Sequence, residues 1–295
     1  MNKTVITTDS GCNPRNMDYM LPCIVVDSNE KNYYDMKKIS NDDIPVINNL
    51  EVFDRAVSGE RFHTASPNIG DYISVMTPIL EEGNNIIHLS MSNGISAGSV
   101  NASRVASDML NDEYGKDRVT VIDTLTAGCG GTVINDYAND LIKRELSTRE
   151  IAEKLEYIKQ RILSTFFISK VEGFVSSGRA PHIAILSDKL SLRFRVDIND
   201  KGKLYPKLPP YKGSITKQAM KYVKSVINED NKEGFDPNYL AILKTRLKEI
   251  NLDEIKEYLL SLNYFKKELI EEILFYSAIC SYGVEDQIGI ALIKK

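Results

Sequence analysis

The run Ile86-Ile87-His88-Leu89-Ser90-Met91 passes directly into Ser92-Asn93-Gly94-Ile95-Ser96-Ala97-Gly98-Ser99 and then into a segment carrying Val100, Val105, Met109 and Leu110. A short apolar run reads as a buried strand, the small polar stretch as a turn, and the spacing after it as a helix. Strand, loop and helix in that order open a crossover unit, the connection that parallel strands require. The order also has a chemical consequence. The first N–H groups of a helix have no partner within it and carry the positive end of its dipole, so such a loop is a place to hold an anion.

Further extended runs stand at Val5-Ile6-Thr7-Thr8, residues 23–26 and residues 119–122, each short and apolar as a buried strand is. Ser66-Pro67 predicts a helix start with Ser66 as cap, followed by an apolar face of Ile69, Tyr72, Ile73, Met76, Ile79 and Leu80 and a stop at Gly83. A second glycine-rich turn, Gly128-Cys129-Gly130-Gly131, leads into a helix running to about Leu146. Ser147-Thr148-Arg149-Glu150 reads as a capping box.

With 295 residues the chain exceeds a comfortable single core, so two domains are expected, residues 1–157 and 158–295. The first is predicted to be an α/β domain built on a mostly parallel sheet. The second half groups its strands apart from its helices, with a hairpin at Asn199-Asp200-Lys201-Gly202 and a last strand at residues 288–293, which predicts an α+β domain. The interface between two domains is a usual place for a ligand.

A formal charge of -4 argues against a general nucleic-acid binder, since phosphate contacts need clustered Lys and Arg. No stretch has the length of a bilayer span and no apolar leader opens the chain, so a cytoplasmic protein without stable membrane insertion is expected. Cys12, Cys23, Cys129 and Cys280 form no C-x-x-C pair, and His63, His88 and His182 are dispersed, so neither a structural metal nor a cofactor is predicted. Free thiols in a reducing compartment are the simplest reading.

Thr64 and Ser66 stand before one predicted helix, and the hydroxyls of residues 92–99 before another. If both helix starts converge at the carboxyl edge of the sheet, they form one anion pocket. Hydroxyls at helix starts are more often caps and nothing more. His63 beside Thr64 is no ready base, because neighbours on an extended segment point to opposite sides. No G-x-S-x-G elbow is present, which argues against a serine hydrolase. Asp9 and Asp123, at strand ends, read as turn caps before metal ligands.

Four motifs in order, Thr8-Asp9-Ser10, Thr64-Ala65-Ser66-Pro67-Asn68, Ser92-Asn93-Gly94-Ile95-Ser96-Ala97-Gly98 and Ser177-Gly178-Arg179-Ala180, give the chain a likeness to the DegV family of bacterial fatty-acid-binding proteins. The chain resembles that family over about residues 3–293. The resemblance implies a bound long-chain fatty acid whose carboxylate meets Thr64 and Ser96, with Ser66, Ser92, Gly98 and Arg179 supporting the head group. It also implies a noncatalytic carrier that presents its ligand to a fatty acid kinase.

The chain departs from the family pattern at Ala65, Asn93, Ala97-Gly98 and Ala180, and most of all at Tyr282-Gly283-Val284-Glu285-Asp286, where relatives carry H-x-G-P-G. Tyr282 can replace a histidine's hydrogen bond but not its charge at neutral pH. Two other functions compete: a phosphotransferase or hydrolase acting on a small acid in the same cleft, and an interaction protein whose polar loops are only caps.

Overall fold

The computed structural model describes residues 3–39, 43–170, 191–245, 251–281 and 287–295. The motif around Arg179, together with His182 and Tyr282, lies outside the described residues.

β1 (Thr4–Asp9), β2 (Met20–Leu21), β7 (Asn85–Ser90) and β8 (Val119–Asp123) form a wholly parallel sheet in the order β2-β1-β7-β8. The crossover expected after β7 is present, because α3 (Ala97–Tyr114) carries the chain from β7 to its parallel neighbour β8. Successive strand residues face opposite sides, so Ile86 joins α2 (Ile69–Glu81) and α3 on one face while Ile87 and Leu89 join α4 (Cys129–Lys143) on the other. On α3, Val100 and Leu110 are buried, whereas Val105 and Met109 are 44% and 52% exposed.

Two expectations are corrected. The run at residues 23–26 does not enter the parallel sheet. As β3 (Ile24–Val26) it pairs antiparallel with β4 (Asn32–Asp35) and β6 (His63–Ala65), and β5 (Val46–Ile47), which leads into α1 (Asn49–Val57), completes a small mixed sheet. Ser66 does not cap α2. Asn68 does, accepting from the Asp71 N–H while the Asp71 carboxylate accepts from the Asn68 N–H, a reciprocal pair that starts the helix two residues later than Pro67 implied. Gly83, with φ +85°, ends α2 as expected.

The second half carries a six-stranded sheet in the order β11-β10-β9-β14-β12-β13. It comprises β9 (Ile162–Ile168), β10 (Arg193–Ile198), β11 (Leu204–Tyr211), β12 (Phe235–Lys244), β13 (Glu272–Leu274) and β14 (Gln287–Lys294), and only the β12–β13 pair is parallel. The hairpin predicted at residues 199–202 joins β10 to β11. Phe167 points to the face covered by α6 (Ile215–Val226) and α7 (Asp253–Ser261). Phe166 and Ile168 point to the other face, where α4 lies.

α4 holds the halves together. It packs on β1 from one side and on β9, β12 and β14 from the other, and nine of its residues are buried. Such all-round burial demands small residues at the closest approaches. A Cβ on Gly131 would collide with the backbone of Cys12, so glycine is what lets the helix settle against the loop after β1. The capping box expected at Ser147 and Glu150 opens α5 (Thr148–Ile158).

Candidate functional site

The loops that follow β1, β7 and β8 all reach the carboxyl edge of the parallel sheet, and all three line one cavity through Gly11, through Met91, Ile95 and Ser96, and through Ala127 and Gly128. β6 adds Thr64 and Ala65, with Ser66 just beyond it. The opposite wall comes from the second half: Phe166, Ile168, Val196 and Leu204, with Ala278 and Ile279 of α8 (Ser277–Cys280) and Gln287 at the start of β14. The cavity volume is about 120 Å³, roughly ten times the ~10–15 Å³ that one water needs.

The structure brings the two predicted hydroxyl loops together. Ser66 Oγ lies 3.2 Å from Ser96 Oγ, which is in turn 2.9 Å from the buried Ser99 Oγ. Thr64 is half-buried and lines the same cavity, and exposed His63 precedes it on the strand. Gly98 permits the approach, since a Cβ there would stand 2.6 Å from Ser66 Oγ. Ser92 takes a different place. Its buried hydroxyl donates to the Gly202 carbonyl at 2.7 Å and accepts from the Gly94 N–H, tying the loop to the β10–β11 hairpin outside the cavity lining.

Two helices begin at this cavity, and neither start has a side-chain cap. Ser96 precedes α3 and Gly128, in a left-handed conformation at φ 53°, precedes α4. Their first N–H groups and dipoles favour negative charge. The contribution of α4 was missed in the sequence, although the glycine-rich turn at residues 128–131 was visible there. Nothing local tells that this turn opens onto the same cavity as residues 92–99.

The loops are held from behind by buried polar groups. Asp9 is fully buried and accepts from the Tyr72 hydroxyl at 2.8 Å, the Ser90 hydroxyl at 3.0 Å and the Met91 N–H at 2.9 Å. Burial pushes its carboxyl up, but adjacent His88 and these donors outweigh it and hold the group below the ordinary carboxylate value. His88 itself is buried against Thr7 at 2.9 Å. Asp123 Oδ1 accepts from the N–H groups of Asn93 and Leu125, as a turn cap does. Burial, with Asp9 and Asp35 nearby, pushes the thiol of Cys23, which lines the cavity, up to about 12 and so disfavours its thiolate.

Among the described residues no His, Asp, Glu, Lys or Arg lines the cavity, and no group of three His, Cys, Asp or Glu side chains is placed to hold a metal. The arrangement provides hydroxyls and helix N-termini at one side and an apolar wall at the other. That suits an amphipathic acid.

The family model described as "Uncharacterised protein, DegV family" matches residues 3–295. The chain belongs to the DegV family. A DegV domain-containing protein of Lactococcus lactis, YteA, is 26% identical over 147 residues, an alignment covering 50% of each protein, so the chain spans about half the length of this curated relative. Among solved structures, a stearic acid-binding protein from Eubacterium ventriosum superposes with a TM-score of 0.80 at 19% identity, covering 100% of this chain and 99% of that one. The Streptococcus pneumoniae fatty acid kinase (Fak) B3 protein loaded with linoleic acid superposes with a TM-score of 0.78 at 19% identity, covering both chains fully. At such identities the likeness establishes a shared DegV fold, a mixed α/β architecture in two parts. Among the described residues no helix is long and apolar enough to cross a membrane.

Proposed function

We propose that this protein is a noncatalytic carrier that buries a long-chain fatty acid in the cavity between its two halves and works without a cofactor. The observation that carries the reading is the pairing of a hydroxyl cluster, Thr64, Ser66 and Ser96, with an apolar wall of Phe166, Ile168, Val196 and Leu204 across one cavity. Thr64 and Ser96 bind the carboxylate. Ser66 and the N-termini of α3 and α4 support it, Gly98 gives the room, and Ser92 holds the loop in place. Arg179 is the cationic partner that the motif order adds to this set.

Burying about fourteen methylenes at ~0.8 kcal/mol each makes on the order of 11 kcal/mol available before the costs of association. Hydrogen bonds to a charged group add only about 1.5–3 kcal/mol each. The tail therefore supplies affinity and the hydroxyls orient the head. A hydrolase or phosphotransferase needs a general base, and the described lining offers none.

Solved relatives that share the fold are described as fatty-acid-binding proteins, and one as a fatty acid kinase B protein carrying linoleic acid, which supports delivery of the ligand to a fatty acid kinase. The proposal places the protein in the cytoplasm, with residues 1–157 and 158–295 as its two domains. Mass spectrometry of an organic extract from the purified protein, against a mock purification, tests the reading. A stoichiometric fatty acid is expected. An empty extract together with no binding of added fatty acid would overturn it.

A further inference from the structure

Gln287 opens β14, is only 2% exposed, and lines the cavity. Its backbone N–H donates to Thr245 Oγ1 at 3.0 Å. Its side-chain Nε2 is buried and meets no hydrogen-bond partner among the described residues. Buried amide groups are almost always paired, so an orphan of this kind marks a place where a partner is missing. The strand-borne neighbours it has in this wall, Phe166, Ile168, Val196 and Leu204, are all apolar. A carboxamide among them has no packing reason to be there, since a leucine fills similar space without a polar group to satisfy.

The register of the sheet places Gln287 along the cavity. Gln287 lies opposite Ile168, and Gly289 opposite Phe166, so the carboxamide stands on the same face as the Phe166 row and one pleat, ~6–7 Å, further along. Phe166 marks the start of α4, because a Cβ on Gly128 would stand 3.1 Å from its ring. The hydroxyls of Thr64, Ser66 and Ser96 belong to the wall contributed by the first half. On the acyl-site reading, an acid held there by its head group presents its chain to the second-half wall in which Gln287 stands.

We propose that Gln287 is a specificity residue that recognises a hydroxyl carried on the acyl chain, making a monohydroxy fatty acid the preferred ligand over its plain counterpart. The inference rests on the acyl-site reading of the cavity. A hydroxyl suits this position because it donates and accepts, as a carboxamide does, so the pair is satisfied whichever way the amide is turned. A plain methylene chain leaves the Nε2 unpaired.

The test compares a sixteen-carbon saturated acid with its monohydroxy positional isomers, each displacing a fluorescent fatty acid from the wild-type protein and from Gln287→Leu. One isomer is expected to bind the wild type about tenfold more tightly than the plain acid, equivalent to about 1.4 kcal/mol. Gln287→Leu should erase that preference while keeping or raising affinity for the plain acid. Absence of any preferred isomer in the wild type overturns the proposal, and so does a preference that survives in Gln287→Leu. Equal loss for plain and hydroxylated acids, with an unchanged melting temperature, reassigns Gln287 to the head group and also overturns it. If Gln287→Leu does not fold, the wild-type comparison and Gln287→Thr decide. Failure of every acid to bind the wild type defeats the acyl-site reading itself, an outcome distinct from binding without preference.

Discussion

Ser66 Oγ and Ser96 Oγ lie 3.2 Å apart although 30 residues separate them in the chain. The contact brings the segment after β6 onto the first turn of α3 and makes one polar patch of two loops. It also accounts for the glycine at position 98, whose missing side chain leaves the space that the Ser66 hydroxyl occupies.

Removing the hydroxyls should affect the head group and spare the fold. Thr64→Ala combined with Ser96→Ala is expected to weaken fatty-acid binding by roughly 10- to 100-fold, on the basis of about 1.5–3 kcal/mol for a hydrogen bond to a charged group and some compensation by the helix N-termini. A lipid titration of the double variant checks this, and unchanged affinity would remove both residues from the site.

Gly131→Ala should be far more damaging than an alanine in a helix usually is. The new Cβ would meet the backbone of Cys12, which has no flexible end to move aside. A cost of about 1–3 kcal/mol or more is expected from overpacking. Thermal melting measures it. A variant as stable as the wild type would show that α4 shifts freely against the loop after β1.

Asn13 joins the beginning of the chain to its end. Its Oδ1 accepts from the Tyr276 N–H at 2.7 Å and its Nδ2 donates to the Leu274 carbonyl at 3.3 Å, while its own carbonyl accepts from Thr132 at 2.7 Å. Asn13→Ala strands the Tyr276 N–H and places a less tolerant residue at φ 50°. A loss of about 2 kcal/mol in denaturant unfolding is expected. A loss below about 0.5 kcal/mol would mean that this tether is dispensable.

Asp35 should make stability depend on pH. It is fully buried, and burial pushes its carboxyl up to about 6 from the ordinary 3.8, although Ser10, Ser277 and the Ala278 N–H lie close enough to offset part of the cost. A raised acid binds its proton more tightly when folded than when unfolded. The Asp35 contribution to stability is therefore most favourable below about 4, falls as pH rises through about 6, and carries its full penalty above that, on the order of 3 kcal/mol. Asp35→Asn is expected to raise the melting temperature at pH 7.5 and to leave it little changed at pH 4. Equal shifts at both pH values would exclude burial of a charge as the cause.

Features whose causes are local are legible in the chain alone. The alternation of short apolar runs with helical spacing announced the crossover from β7 to β8, and Asn199 to Gly202 announced the hairpin, because turn chemistry and periodicity act over a few residues. The Ser147 and Glu150 box was legible for the same reason. The order of four motifs points to the family without reference to any contact. The start of α2 departs from the Ser66-Pro67 signal because two local signals compete, and the Asn68–Asp71 pair satisfies two backbone N–H groups where Ser66 and Pro67 offer fewer bonds.

Tertiary structure alone decided which of the polar residues meet. Ser66 and Ser96 converge on the cavity while Ser92 turns away to Gly202, and the start of α4 joins the same site from a third loop. The apolar wall comes from strands of the second half, more than sixty residues beyond Ser96 in the chain, and Gln287 stands in it. None of this is legible locally. Which faces meet is set by the burial of whole helices and sheets against one another, and that free energy is shared by the entire core, not by the few side chains it brings together.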